Sequence, residues 1–242
     1  MNNRLKHIVE NYEKMRIGID DSFSFHCTQC GKCCIHREDI LLNAKDLYKI
    51  AKHLKLSPEQ VIAQYCEVYI GDSSRLPVVR LNPRGAVHRC PFLKNQKCSI
   101  HQVKPVVCAM FPLGRAIRIQ LDKQVKTEMT TSKIEYIFNH PECGDRSETQ
   151  TVRDWLNMFE VPIDDEFFIR WQQTLSDVAR KIHEIEPVYS SKVMGMVWNG
   201  VYTLLYLQYD TDREFDKQFE LNSKVLVDIV EQLPSKEGSK YE

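Results

Sequence analysis

Cys27-Thr28-Gln29-Cys30-Gly31-Lys32-Cys33-Cys34 places four thiols within eight residues. Packing alone does not call for such crowding. A thiolate is a soft ligand suited to zinc, copper(I) or iron–sulfur chemistry. In Cys27-x-x-Cys30 the two-residue gap lets both sulfurs face one ion from a tight loop, and Gly31 relieves the bend. Cys33 repeats the gap. Cys27, Cys30 and Cys33 therefore have the spacing of the first three ligands in bacterial ferredoxin-type clusters. The fourth cysteine of that pattern is missing at its usual offset, and Cys34 stands beside Cys33 instead. Successive side chains tend to point apart, so two neighbouring thiols seldom chelate one tetrahedral ion. Either they serve two metals, or one ligates while the other reacts or packs.

Five more cysteines lie downstream. Cys90, Cys98, Cys108 and Cys143 raise the candidate set to eight. Eight thiols allow two four-sulfur sites, one polynuclear site, or one cluster plus redox-active cysteines. Cys66 falls on an expected helix beside Tyr65 and reads as a small buried hydrophobe. Nine cysteines fit a closed disulfide set poorly, because the number is odd. The start, Met1 to Ile19, is charged and lacks the apolar core of a secretory signal. The expected compartment is the reducing cytoplasm, where thiols stay reduced or bind metal.

Together these motifs resemble the CxxCxxCC cysteine-cluster family of zinc- or iron-chelating domains. The resemblance runs from about Phe25 to Leu156. It rests on CTQCGKCC at Cys27 to Cys34, CPFL at Cys90 to Leu93 and CSIH at Cys98 to His101. KPVVC at Lys104 to Cys108, Phe111-Pro112 and Cys143 complete it. It implies zinc or iron, including a 4Fe–4S cluster, on Cys27, Cys30, Cys33, Cys34, Cys90, Cys98, Cys108 and Cys143. The family usually has Arg-Pro where this chain has Lys104-Pro105, which loses the guanidinium fork. It often has Tyr where His101 stands, so His101 is a candidate extra ligand. A similar cysteine domain occurs in flagellin lysine methylases. That implies a second reading, an iron–sulfur enzyme transferring methyl groups to protein lysines, and leaves open whether this chain is an enzyme.

Other groups near the thiols have plainer readings. His26, His36, His88 and His140 read as surface residues or as donors to ligands. Lys32, Arg37, Arg89 and Arg115 could offset thiolate charge, or be solvated. Lys+Arg and Asp+Glu number 33 each, so no global field draws in nucleic acid or an anionic membrane. The longest uncharged stretch, Val193 to Tyr209, is short of the roughly 20 apolar residues of a span and reads as a buried helix. A protein partner stays open. No Gly-rich phosphate loop follows a strand, so a nucleotide-binding unit is unsupported.

The expected fold is α+β. An irregular cysteine-rich domain covers 1–150, with its core at 25–145. A helical region follows over 151–234, and a disordered tail over 235–242. Leu5, Ile8, Val9, Tyr12 and Met15 suit one face of an N-terminal helix. Ser22 to His26 is an extended entry to the thiols, and Ile40-Leu41-Leu42 a short strand. Asn43 with Asp46 starts a helix to about Lys55. Ser57-Pro58-Glu59-Gln60 starts another, expected to run to Gly71. Val78 to Leu81 is a strand with a return strand at Ala86 to His88. Arg115 to Val125 alternates as a strand that Ile134 to Phe138 can pair with. His140 to Asp145 reads as a turn. Helices are expected at Thr151 to Phe159, from Phe167 to Ile185, and from Phe215 to Leu233. Asn222 is polar on the last apolar stripe and should be hydrogen-bonded.

Overall fold

A computed structural model describes residues 10–36, 40–118 and 133–234. The strands are β1 Arg16–Ile17, β2 Ser22–His26, β3 Leu41–Leu42, β4 Cys66–Ile70, β5 Pro77–Leu81, β6 Leu93–Lys94, β7 Lys97–Cys98, β8 Leu113–Arg118, β9 Lys133–Phe138 and β10 Asp145–Thr151. The helices are α1 at 10–15, α2 Ala44–Leu54, α3 Pro58–Tyr65, α4 Val106–Met110, α5 Val152–Met158, α6 Glu166–Ile185, α7 Ser191–Tyr202 and α8 Phe215–Glu231. Small antiparallel sheets and a helical C-terminal region make the fold α+β. Its contacts divide the chain into two interleaved units. One holds Met1–Cys33, Asn95–Lys97 and Val106–Ile169, and the other Cys34–Lys94, Cys98–Pro105 and Arg170–Glu242.

The first unit contains the sheet β1-β9-β8 and the ribbon β10-β2. β8 and β9 pair from Leu113↔Phe138 to Arg118↔Lys133, as the alternating pattern anticipates; 119–132 lie outside the described residues. β2 alternates strictly, burying Phe23 and Phe25. Both rings pack edge-on against Trp155, at 5.9 and 5.6 Å. Trp155 settles its one polar atom by donating Nε1–H to the Met110 carbonyl at 3.0 Å, which is why an indole can sit in this core. Beside it, Arg115 forms a buried ion pair with Asp165 at 2.7 Å and stacks over Phe168. Asp165 Oδ1 also accepts the Phe168 N–H at 3.0 Å, closing the first turn of α6.

The second unit contains the sheet β3-β5-β4 and most of the long helices. The cap signals operate as written in the sequence. Asn43 and Asp46 form a capping box on α2, and Ser57 and Gln60 form one on α3 with Pro58 at its first position. Asn222 is buried and donates to the Gln208 carbonyl at 2.7 Å, which satisfies both groups.

Three local expectations are corrected. The helix from Ser57 stops at Tyr65, because Cys66–Ile70 carries the strand formers Val68, Tyr69 and Ile70 and pairs with β5. A strand partner outweighs helix propensity there. Ala86 to His88 is a turn rather than a return strand, because β5 takes both its neighbours from β3 and β4. The expected N-terminal helix is present over 10–15 and is followed by β1 at Arg16, which pairs with β9 at Ile137; 1–9 lie outside the described residues. Val193 to Tyr209 is neither one helix nor wholly buried. α7 ends at Tyr202, a π-turn covers Thr203–Leu207, and Met196 is 62% exposed. The expected tail at 235–242 also lies outside the described residues. Among the described residues, no helix is long and apolar enough to cross a membrane.

Candidate metal centre

β2 leads directly into Cys27, and Cys143 lies two residues ahead of β10. The two strands run antiparallel, with Ser22 opposite Thr151 and Ser24 opposite Thr149. After an irregularity the ladder resumes at His26 opposite Asp145. The Gln150 side-chain amide bridges the irregular stretch by donating to the Phe25 carbonyl at 2.8 Å. Pairing His26 with Asp145 carries Cys143 to the loop that holds Cys27, Cys30 and Cys33, although 110 residues or more separate them in sequence.

Gly144 makes this approach possible. Its φ is +70°, and an added Cβ would overlap the His26 carbonyl oxygen and lie 2.6 Å from Phe25 Cε2. Only glycine adopts this conformation with no side chain to place there. The thiol loop itself turns through two left-handed residues, Gln29 at φ 53° and Gly31 at φ 71°, and then closes into a 3-10 turn at Lys32–Cys34. Gly31 thus fills the role its position anticipates, whereas Gln29 is a non-glycine residue held in that region.

Electrostatics set the two contacting thiols apart. The backbone N–H of Lys32 donates to the Cys30 sulfur, with help from the Gly144 N–H and the Thr28 hydroxyl. These donors pull the Cys30 pKa below its ordinary value, against partial burial and the nearby Cys33. Cys143 goes the other way. Partial burial, the charges of Cys33, Cys30 and Cys27, and a hydrogen bond with Cys30 push it up to about 11. Lys32 acts through its backbone amide rather than through the side-chain charge that the sequence puts forward.

Cys34, Cys90 and Cys98 belong to the second unit. The Cys90 N–H donates to the Cys34 carbonyl at 2.8 Å, and the chain turns at once, with Leu93 N–H donating to the Cys90 carbonyl at 3.0 Å. Phe92 anchors this turn, stacked on Tyr65 at 4.6 Å. Its carbonyl accepts from both the N–H and the hydroxyl of Ser99, next to Cys98. His101 opens the 3-10 turn that follows. Partial burial and the Lys104 cation lower its pKa, favouring the neutral imidazole. Cys108 sits on α4 in the first unit. Cys66 lies on β4, and burial pushes its thiol up to about 12, in keeping with a core role.

None of the nine cysteines is joined in a disulfide. Among the described residues, no three His, Cys, Asp or Glu side chains converge closely enough to hold a metal ion. The charges of Cys33, Cys30 and Cys27 all act on Cys143. Their chemistry fits a soft metal: four sulfurs, with backbone N–H groups supporting negative charge on one of them. The other flagged groups are engaged elsewhere. His26 Nδ1 lies 3.3 Å from Asp145 and Nε2 3.7 Å from Glu148. His140 packs edge-on against Phe138. Arg115 is taken by Asp165. Arg37 lies outside the described residues. What the sequence reading passes over is Gly144 and its neighbour Asp145. Their signal is the glycine directly after Cys143.

Residues 26–143 match the model of the CxxCxxCC family, whose description is "putative zinc- or iron-chelating domain". The uncharacterized protein MJ0661 of Methanocaldococcus jannaschii is 31% identical over 100 residues, covering 40% of this chain and 50% of that protein. The match thus spans about half the length of this curated relative. No solved structure matches the chain.

Proposed function

We propose that residues 26–143, which match the model of the CxxCxxCC family, bind zinc or iron through the eight signature cysteines. Cys27, Cys30, Cys33 and Cys143 are the set we assign to one metal or cluster. The observation that carries this is the His26↔Asp145 pairing, which brings a fourth, distant thiol to the three-cysteine loop. Three ligands from one short loop and a fourth from elsewhere is also how iron–sulfur ligation is arranged in ferredoxin-type proteins. Cys34, Cys90, Cys98 and Cys108 complete the eight. Cys27, Cys30, Cys33 and Cys143 would hold the metal, and its binding would be coupled to local ordering of the thiol loop. When bound, zinc would hold the loop and ladder together, and an iron–sulfur cluster would add electron transfer.

The test is metal analysis of protein purified without oxygen. Zinc or iron at one or more per chain is the expected result, and sub-stoichiometric amounts of both would overturn the reading. A visible absorption band that bleaches on reduction assigns the site to iron–sulfur chemistry and favours the enzyme reading, methyl transfer to a protein lysine. Stoichiometric zinc without colour argues against that reading. Cys30→Ser separates roles: global unfolding marks a structural site, and a folded but metal-poor protein marks a functional one.

A further inference from the structure

We propose that the cleft between the α1–β1 corner and the end of β9 binds a small organic carboxylate, with its acid group on Lys14 and Arg16 and its apolar body on Ile17 and Phe138. The cleft has a volume of about 410 Å³, inside the range of roughly 300–1,000 Å³ usual for small-molecule sites. All of its lining residues belong to the first unit. None of them is a cysteine, so the inference stands apart from the metal reading. None is Asp or Glu either. The polar side includes Lys14, Arg16, Asn139 and His140, all of which can present N–H donors. Ile17 and Phe138 give it an apolar side.

Both sides are fixed before a ligand arrives. Arg16 pairs with Ile137 and Ile17 with Tyr136 along the β1–β9 ladder. Across the same seam the buried Glu135 carboxylate accepts from the Arg16 guanidinium at 3.2 Å and from the Tyr12 hydroxyl at 2.8 Å. Phe138 contacts the Phe23 ring at 5.0 Å and the His140 ring edge-on at 4.7 Å. Such preorganisation lowers the ordering cost of binding. Charge then selects the ligand. Arg16 shares its charge with Glu135 and with Glu13, the latter at 3.1 Å. It therefore supplies direction, through the N–H groups that those two bonds leave over. Lys14 is exposed and has no ion-pair partner among the described residues. The side chains of Asn139 and His140 make no hydrogen bond among the described residues. One uncompensated cation beside neutral donors matches a singly charged carboxylate better than a dianionic phosphate ester. The half-buried Ile17 and Phe138 match an apolar or aromatic body.

The experiment titrates the full chain, purified without oxygen, with benzoate by isothermal calorimetry at low ionic strength. Benzamide, phenyl phosphate and inorganic phosphate are the comparison probes. The expected result is saturable benzoate binding with a dissociation constant on the order of 1 mM. Phenyl phosphate should bind more weakly, and benzamide and inorganic phosphate should not saturate. Lys14→Gln should weaken benzoate about tenfold, the size of one hydrogen bond to a charged group. Lys14 makes no ion pair or hydrogen bond within the described fold, so the folded state survives this replacement. Lys192→Gln, at an exposed lysine of the second unit, should leave the affinity unchanged. Benzoate that fails to saturate by about 20 mM overturns the proposal. So does an affinity that Lys14→Gln leaves unchanged, or an equal loss in both lysine variants, which marks nonspecific attraction. Either phosphate binding more tightly than benzoate overturns the carboxylate class, and benzamide binding as tightly as benzoate overturns recognition by charge.

Discussion

Gly144→Ala tests the geometry on which the candidate centre depends. An L-residue held at φ near +70° costs about 1–2 kcal/mol. The added methyl must also retreat from the His26 carbonyl and the Phe25 ring. That retreat pulls the Gly144 N–H off the Cys30 sulfur, a loss of about 1 kcal/mol for one hydrogen bond. The sum is roughly 2–3 kcal/mol, and because about 1.4 kcal/mol is tenfold, the ladder should open roughly 30- to 100-fold more often. Amide exchange followed by mass spectrometry on 22–26 and 145–151 reads this opening directly. Gly85→Ala is the control. Gly85 has the same φ of +70° with nothing within 4 Å of an added Cβ, so it should show only the backbone cost, about 1–2 kcal/mol. Exchange in Gly144→Ala within about threefold of the parent would refute the reasoning. Gly144 would then not be needed for β10 to approach β2, and the argument that delivers Cys143 to the thiol loop would lose its support.

Two further outcomes follow from buried groups. The Cys66 thiol is raised by burial from 9.0 to about 12, so above pH 9 the unfolded chain loses this proton while the folded chain keeps it. Stability should therefore fall by about 1.4 kcal/mol per pH unit between those values. Urea midpoints at pH 8 and pH 10 should converge on that slope relative to Cys66→Ala, and an equal pH dependence in the two proteins contradicts the assignment. Arg115→Met leaves Asp165 charged in a site where both partners were nearly buried, at 6% and 11% exposed. It should cost about 3–5 kcal/mol, and a denaturation midpoint unchanged from the parent would show that the pair carries no weight.

Much of the second unit was legible because its signals are local. Asn43 with Asp46 and Ser57 with Gln60 start helices through bonds three residues long. The apolar stripe from Phe167 to Ile185 needs only its own period to be recognised as a helix. The misreadings share one cause. Cys66–Ile70 follows a helix without a break, and its strand character appears only when β5 lies alongside. The pattern at Ala86 to His88 is compatible with a strand until β3 and β4 have taken both edges of β5. Arg115 stands among cysteines in sequence, yet its charge is claimed by Asp165, 50 residues away.

The run from Cys27 to Cys34 shows the same division. Its sequence alone determined the donor chemistry, the chelating gap and the bend at Gly31, because these follow from atoms within eight residues of one another, and it carries the resemblance to the CxxCxxCC family. It also raised the expectation that Cys33 and Cys34 do not share an ion, since neighbouring side chains tend to point apart. Tertiary structure decided which distant cysteine each one lies near. Cys33 falls in the unit with Cys143 and Cys34 in the unit with Cys90. Cys143 reaches the loop by the register of an antiparallel ladder, and Cys90 reaches Cys34 by a single backbone hydrogen bond. Both partners are chosen by contacts between residues far apart in the chain, and no local spacing encodes which strand a strand will find.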